Sequence, residues 1–153
     1  MTKVDEHAVV PPVDDAARAR LAAALDLPGV ISALLYGSQA TGKAGPLSDV
    51  DVAVWLDPEL PGSERYQLQL ELMVNASEAL RTDEVQVAIL NEATPLLRHR
   101  AMRDGVRLLD RDPRTRIRLE TRALLEYLDT APLRTVLAEG LKHRIEEGHF
   151  GRP

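Results

Sequence analysis

The apolar positions of this chain follow two spacings. Short, nearly continuous apolar runs typical of buried strands occupy residues 30–36, 49–56, 84–90 and 106–110. Between and after them, apolar residues recur every three or four positions, which predicts helices over 14–27, 64–81, 94–105 and, in two pieces divided near Ala131 and Pro132, over 113–147. Strands and helices alternate, so the pattern predicts an α/β or α+β domain.

Local sequence signals mark the ends of these segments. Asp14 is a candidate N-cap for the first helix, and Thr94 followed by Pro95 has the form of a cap and first helical residue. Pro28 and Gly29 predict a turn before the first strand. Gly105 is expected to end the helix that Thr94 begins.

The length of 153 residues fits one domain, and 44% of the residues are apolar. Because Pro11 and Pro12 disfavour a helix, residues 1–13 are expected to form a loose tail. Residues 14–112 then form the main domain, and 113–153 form a C-terminal helical extension of it.

The composition excludes several classes of function. The chain has no cysteine, so it has neither disulfides nor thiolate metal sites, and a reducing cytoplasm is its expected location. No stretch of about 18 apolar residues is present, and the N-terminus has no apolar core of a secretory signal. The net charge of −5 argues against a direct nucleic-acid role.

The segment "SDVDVAVWL" places two carboxylates inside an apolar run. On a strand, Asp49 and Asp51 point to the same face, because side chains alternate. Two carboxylates roughly 7 Å apart along the backbone repel each other, and a divalent cation between them removes that conflict. An all-oxygen ligand set favours Mg²⁺ or Mn²⁺, which commonly carries the phosphates of a nucleoside triphosphate.

The corner before this strand complements a metal-bound phosphate. Gly37 has no side chain, so phosphates can approach the backbone, and Ser38 offers a hydroxyl and an N–H group. A short helix beginning at Ser38 would direct its N-terminus toward the same anion. Lys43, in the following loop, has two interpretations that stay open, a triphosphate ligand and a solvated side chain.

The stretch "GSQATGKAGPLSDVDVAV" resembles the signature of the DNA polymerase beta-like nucleotidyltransferases, and the small size resembles their minimal nucleotidyltransferase (MNT) branch. "VQVAILNEATPLLRHRAMRDGVRLLDRD" and "RLETRALLEYLDTAPL" resemble later elements of that branch. The resemblance implies a small mixed β-sheet flanked by helices, with C-terminal helices. It also implies a metal pair of Asp49 and Asp51, a phosphate contact from Ser38, and a nucleotide site shared with Gly37, Lys43 and Ser48.

Proteins of this branch are commonly antitoxins of HEPN-domain ribonuclease toxins. The resemblance therefore implies a cytoplasmic enzyme that uses ATP and Mg²⁺ to transfer AMP to a tyrosine hydroxyl of its toxin. The partner implied is the HEPN toxin, in a hetero-oligomer.

One position departs from the family pattern. A third carboxylate is expected on the strand "EVQVAIL", and the alignment places Gln86 there. Glutamine cannot accept the proton of the attacking hydroxyl, so Glu84, on the same face, is the alternative catalytic carboxylate. This departure has three interpretations that stay open. Catalysis is slower, the base is at another residue, or the activity is lost while binding is retained.

Two rival functions stay open at this point. The first is a protein of the same fold that neutralises the toxin by contact alone. The second is a transferase for small molecules, although 153 residues leave little room for the added substrate domain such enzymes carry.

Two further features each have two interpretations. Trp55 either stacks on a nucleotide base or belongs to the core. The stripe formed by Leu133, Val136, Leu137, Leu141 and Ile145 either packs on the domain or contacts a partner.

Overall fold

The computed structural model describes residue 10 and residues 12–45 and 48–148 of the chain. Its elements, in chain order, are α1 (Asp15–Leu25), β1 (Val30–Tyr36), α2 (Ser38–Thr41), β2 (Val50–Leu56), α3 (Gly62–Leu80), β3 (Val85–Ile89), a 3₁₀ turn (Leu90–Glu92), α4 (Pro95–Asp104), β4 (Val106–Asp110), α5 (Pro113–Asp129) and α6 (Ala131–Glu146). The strands and helices predicted from the apolar pattern are all present.

The four strands form one mixed sheet in the order β3-β2-β1-β4. β1 is antiparallel to both of its neighbours, whereas β2 and β3 are parallel. This confirms the expected small mixed sheet flanked by helices. It also places β2, which carries the aspartate pair, in the interior of the sheet with a partner strand on each side.

Each face of the sheet has its own helical layer. Val50, Val52 and Val54 of β2 join the larger core cluster, which includes residues of α1 and α3. Ala53 and Trp55 point to the other face, where the smaller core cluster includes residues of α4 and α5. Because side chains alternate along a strand, Asp51 lies on the α4–α5 face.

The helix caps follow the sequence signals. Asp14 caps α1 by accepting a hydrogen bond from the Ala17 N–H at 2.8 Å. Thr94 caps α4 in the same way, with Pro95 as the first helical residue. Asp112, which the sequence analysis did not single out, caps α5 through the N–H and hydroxyl of Thr115.

The main differences from the sequence predictions are at segment ends. β2 begins at Val50 and β3 at Val85, one residue later than predicted, while α3 begins two residues earlier, at Gly62. Of the segment predicted as a loose tail, residues 1–9 and 11 lie outside the described residues. Val10 and Val13 are buried, so the core extends beyond the boundary placed at residue 14.

A buried hydroxyl connects β1 to β4. Ser32 is fully buried, and its Oγ donates to the Leu109 carbonyl at 3.0 Å and accepts from the Arg107 guanidinium at 2.7 Å. The β1–β4 register shifts between Ala33 and Leu34, next to this contact. Two hydrogen bonds of the Ser32 hydroxyl therefore stabilise the irregular part of the β1–β4 pairing.

The two C-terminal helices differ in how they meet the sheet. α5 buries Ala123, and its Arg116 bridges Asp110 of β4 and Glu120 at 3.0 and 3.1 Å. α6 has no buried residue. In the part of the chain that the structure describes, every helix is too short or too polar to cross a bilayer.

Candidate active site

The two aspartates lie where β1 leaves the sheet and β2 enters it. Asp51 is the register partner of Tyr36 on β1 and of Gln86 on β3, and Asp49 precedes β2 by one residue. Both carboxylates are partly buried. The central position of β2 thus surrounds Asp51 with a strand on each side, while its side chain stays accessible.

Gly37 is required by the approach of Asp51. A Cβ atom added to Gly37 would lie 2.6 Å from Asp51 Oδ2, so the Asp51 carboxylate would have to turn away from its present position. Its φ of +72° is also a conformation that residues other than glycine rarely adopt. Gly37, which the sequence predicts to allow phosphates near the backbone, therefore also makes room for the Asp51 carboxylate.

The electrostatics of the pair follow from burial and proximity. Partial burial raises the pKa of the Asp51 carboxyl above its ordinary 3.8, and the negative charge of Asp49 raises that pKa further. The pKa of the Tyr36 hydroxyl is also raised, first by burial and then by the charge of Asp51. Two carboxylates that disfavour joint ionisation suit a hard divalent cation, whose charge would favour both anions.

The loop between β1 and β2 contains the other residues expected to contact nucleotide. Ser38 is the first residue of α2, and its carbonyl accepts a hydrogen bond from the Lys43 N–H at 3.1 Å. The Lys43 side chain is exposed. The hydrogen bond from Arg103 is the main cause of the lowered pKa of Asp104 at the end of α4, and the charge of Lys43 is the smallest contribution to it. A contact of Lys43 with the triphosphate stays a prediction.

Ser48 organises the end of this loop. Its Oγ accepts a hydrogen bond from the Gly45 N–H at 2.9 Å, and its own N–H donates to the Gly45 carbonyl at 3.1 Å. Residues 46 and 47 lie outside the described residues. These two hydrogen bonds join Ser48 to Gly45 immediately before Asp49, and a contact of Ser48 with nucleotide stays a prediction.

Gln86 and Glu84 flank the aspartates on the neighbouring strand. Gln86 is exposed and lies directly beside Asp51 in the parallel register. The Glu84 carbonyl accepts from the Val50 N–H at 2.8 Å, so Glu84 lies next to the start of β2. Within residues 10, 12–45 and 48–148, no three acidic, histidine or cysteine side chains form a group that could hold one ion.

The surroundings of Tyr36 and Trp55 could not be predicted from the sequence. Tyr36 lies beside Asp51 only because of the β1–β2 register, which no local motif encodes. Trp55 is 2% exposed, and the Arg98 guanidinium lies 5.7 Å from its ring centroid. Trp55 is therefore a core residue, and base stacking by this side chain is excluded.

A mixed sheet with a glycine-serine corner facing two aspartates defines a nucleotidyltransferase fold. Residues 23–114 match the family described as Polymerase beta, nucleotidyltransferase. This match covers more than half of the chain, and the chain belongs to that family.

Solved structures with the same fold come from toxin–antitoxin complexes. A toxin–antitoxin complex with AMP-PNP matches with a TM-score of 0.64 and 20% identity, over 82% of this chain and 98% of that one. A mutant MntA–HpeT complex with two aspartate-to-glutamate changes also matches. Its TM-score is 0.60 and its identity is 20%, over 76% of this chain and 90% of that one.

A third complex contains a tri-AMPylated HEPN toxin from Shewanella oneidensis with its MNT antitoxin. It matches with a TM-score of 0.55 and 19% identity, over 76% of this chain and 86% of that one. At these identities the likeness establishes the fold. A search among curated proteins found no significant match.

Proposed function

We propose that this chain is a cytoplasmic antitoxin that transfers AMP from ATP to a tyrosine hydroxyl of a HEPN ribonuclease toxin and thereby neutralises it. The observation that carries the proposal is the arrangement of Asp49 and Asp51 beside Gly37, in a chain of the nucleotidyltransferase family. The solved complexes support the choice of partner, since they contain HEPN toxin, an ATP analogue, or a toxin already carrying AMP.

Each residue of the site has a stated role in this proposal. Gly37 leaves space for the triphosphate near the backbone, and Ser38 donates to one of its oxygens. Lys43 and Ser48, from the loop between β1 and β2, would contact the same nucleotide. Asp49 and Asp51 would hold Mg²⁺ or Mn²⁺, which when bound polarises the α-phosphate and neutralises the charge of the departing pyrophosphate.

The transfer forms one bond and breaks one bond. The tyrosine oxygen bonds to the α-phosphorus, while the bond from that phosphorus to the bridging oxygen breaks and pyrophosphate leaves with the electron pair. The protein contributes position and electrostatic stabilisation, as in other phosphoryl transfers.

The proton of the attacking hydroxyl requires a base. Gln86 occupies the place beside Asp51 where the family pattern expects a carboxylate, and an amide cannot take a proton at neutral pH. Glu84 is the catalytic carboxylate that we propose for this step, because it adjoins the start of β2 on the same face.

The proposal is tested by incubating the chain with its HEPN toxin, Mg²⁺ and ATP labelled at the α-phosphate. Label on the toxin, lost in Asp49→Ala and Asp51→Ala, is the expected result. A variant of either aspartate that transfers AMP at the full rate would refute the role of the pair.

A second candidate function is neutralisation by contact alone. The observation that favours it is Gln86, an amide at the strand position beside Asp51, together with the finding that within the described residues no three acidic, histidine or cysteine side chains form a group that could hold one ion. In the same assay this candidate predicts a stable complex without label, and a toxin that regains ribonuclease activity when the complex dissociates.

A further inference from the structure

α6 presents an apolar surface that nothing in the described chain covers. Its exposed apolar residues are 47–64% exposed, and they are Leu133, Val136, Leu137, Leu141 and Ile145. The main contact of α6 with the domain is with α5, where Arg134 donates to the Tyr127 carbonyl and lies over its ring at 3.6 Å. The sequence alternative in which this stripe packs on the domain is therefore wrong.

The exposed surface continues onto the adjoining helix. On α5, Ile117, Leu124, Leu125 and Leu128 are 44–58% exposed, and α5 and α6 meet at the corner formed by Thr130. A helix of 16 residues gains most of its stability from packing an apolar face. Both helices therefore have apolar faces suited to burial in a complex.

The spacing of the α6 residues indicates how a partner would pack. Leu133, Leu137, Leu141 and Ile145 repeat every four residues, forming what we call the α6 ridge. Ridges of this spacing pack into the grooves of another helix at a steep crossing angle, the commonest arrangement in globular helical proteins. A two-stranded coiled coil instead needs alternating spacings of three and four.

The charges around the ridge discriminate between occupants. At roughly 100° per residue, Arg134 and Arg144 fall on the side of the ridge, and because Arg134 is held by the Tyr127 carbonyl and ring, Arg144 is the charge offered to a partner. Lys142 and Glu146 pair with each other at 4.0 Å on the opposite side, where Glu139 also lies. Two copies of α6 packed ridge to ridge would bring arginines together, whereas a partner with carboxylates along its groove would attract them.

We propose that the α6 ridge docks into an apolar groove of the helical HEPN toxin whose rim carries carboxylates. This inference rests on the proposed function and adds the surface that recruits the substrate protein. Because α6 lies apart from the catalytic strands, the ridge governs the capture of the toxin, while the chemical step depends on Asp49 and Asp51.

The first test replaces single ridge residues in the full chain. Leu137→Glu and Leu141→Glu are each expected to raise the KM for the toxin, and the Kd of the complex, about tenfold or more, with kcat and the Kd for Mg²⁺–ATP unchanged. Thr135→Glu, exposed on the opposite side of α6, is the matched control and is expected to match the unchanged protein. Because α6 has no buried residue, all three variants should keep the same Tm.

The second test examines the charge. Arg144→Glu is expected to weaken toxin binding severalfold and to flatten its dependence on salt, whereas Arg144→Lys should retain both.

The outcomes separate this inference from the proposed function. If the unchanged chain binds or modifies the toxin and Leu137→Glu does so equally well, the ridge proposal is overturned while the proposed function stands. If the chain alone is a dimer by light scattering and Leu137→Glu makes it monomeric, the ridge is a self-interface and the proposal is also overturned. If the unchanged chain neither binds nor modifies the toxin, both fail.

Discussion

Gln86 lies directly beside Asp51 in the parallel pairing of β2 and β3. This places an amide at the position where a carboxylate would adjoin the aspartate pair. The consequence for catalysis is open to direct measurement, because Gln86 is exposed and its replacement leaves the core untouched.

Gln86→Asp is expected to raise the rate of AMP transfer by about tenfold or more, because a carboxylate beside Asp51 can accept the hydroxyl proton. Single-turnover transfer of labelled AMP to the toxin measures the effect. Gln86→Asn, which changes length without adding a charge, is the control and should give no gain. Equal rates for the unchanged protein and Gln86→Asp would contradict this prediction and show that the base, for which we propose Glu84, needs no carboxylate at position 86.

Asp51→Asn is expected to stabilise the metal-free protein at neutral pH while abolishing AMP transfer. The pKa of Asp51 is raised in the folded state, so the folded state binds the proton more tightly than the unfolded state. The free energy of unfolding therefore falls as pH rises from about 4 through the folded pKa, and asparagine removes that loss. Below the ordinary pKa the two proteins should be equally stable.

Denaturant unfolding at pH 3.5 and pH 7, with and without Mg²⁺, tests this prediction. Mg²⁺ should stabilise the unchanged protein and leave Asp51→Asn unaffected. Asp83→Asn, at an exposed position, is the control. A variant that is less stable than the unchanged protein at pH 7 without metal would contradict the expected sign.

Gly37→Ala is expected to destabilise the fold and to weaken Mg²⁺–ATP binding, because the new methyl group meets Asp51 Oδ2 at 2.6 Å. Gly42→Ala provides a matched control, since Gly42 has φ +73° and open space around a Cβ. Backbone strain alone should cost about 1 kcal/mol at Gly42, whose ψ of 11° lies in the left-handed helical region. It should cost about 1–3 kcal/mol at Gly37, whose ψ of −156° lies in a region that essentially only glycine adopts. The nucleotide affinity rather than the stability therefore separates the two variants. Only Gly37→Ala should also raise the Kd for Mg²⁺–ATP, as measured by calorimetry, and equal nucleotide affinity in the two variants would refute the contact.

Arg98→Ala is expected to lower the free energy of unfolding by roughly 2–3 kcal/mol. Arg98 donates to the Leu90 and Asn91 carbonyls at 2.6 and 2.7 Å and to Glu126 at 2.7 Å, and its side chain is 16% exposed. Arg122 pairs with the same Glu126 but is 81% exposed, so Arg122→Ala should cost less than about 1 kcal/mol. Urea unfolding measures the loss of unfolding free energy in both variants. Equal losses would contradict the expectation that the buried arginine contributes more than the exposed one.

The sequence predicted secondary structure best where the signal is local, within a few residues of the chain. Apolar alternation predicted β2, and the placement of Asp49 and Asp51 within it predicted a shared face. Capping residues such as Asp14 and Thr94 predicted helix starts because the cap acts within three residues of itself. The alignment that assigned Gln86 to the position beside the aspartates agrees with the strand register.

Long-range pairings were not accessible in the same way. Tyr36 meets Asp51 because two strands pair in one register, and Arg116 reaches Asp110 because α5 turns back along β4. Val10 joins the core although the adjacent prolines suggested a free tail. Each of these contacts depends on how separate segments come together, and neither composition nor spacing encodes that arrangement.

The Ser32 hydroxyl also affects how the sheet assembles. Within the described residues, β4 is an outer strand that pairs with β1 alone, so one ladder of hydrogen bonds sets its register. If β4 were shifted by one residue, the Ser32 hydroxyl would lose its hydrogen bonds with the Leu109 carbonyl and the Arg107 guanidinium. A buried polar group would then be unsatisfied. The two hydrogen bonds of Ser32 therefore favour the native register of β4 over a register shifted by one residue.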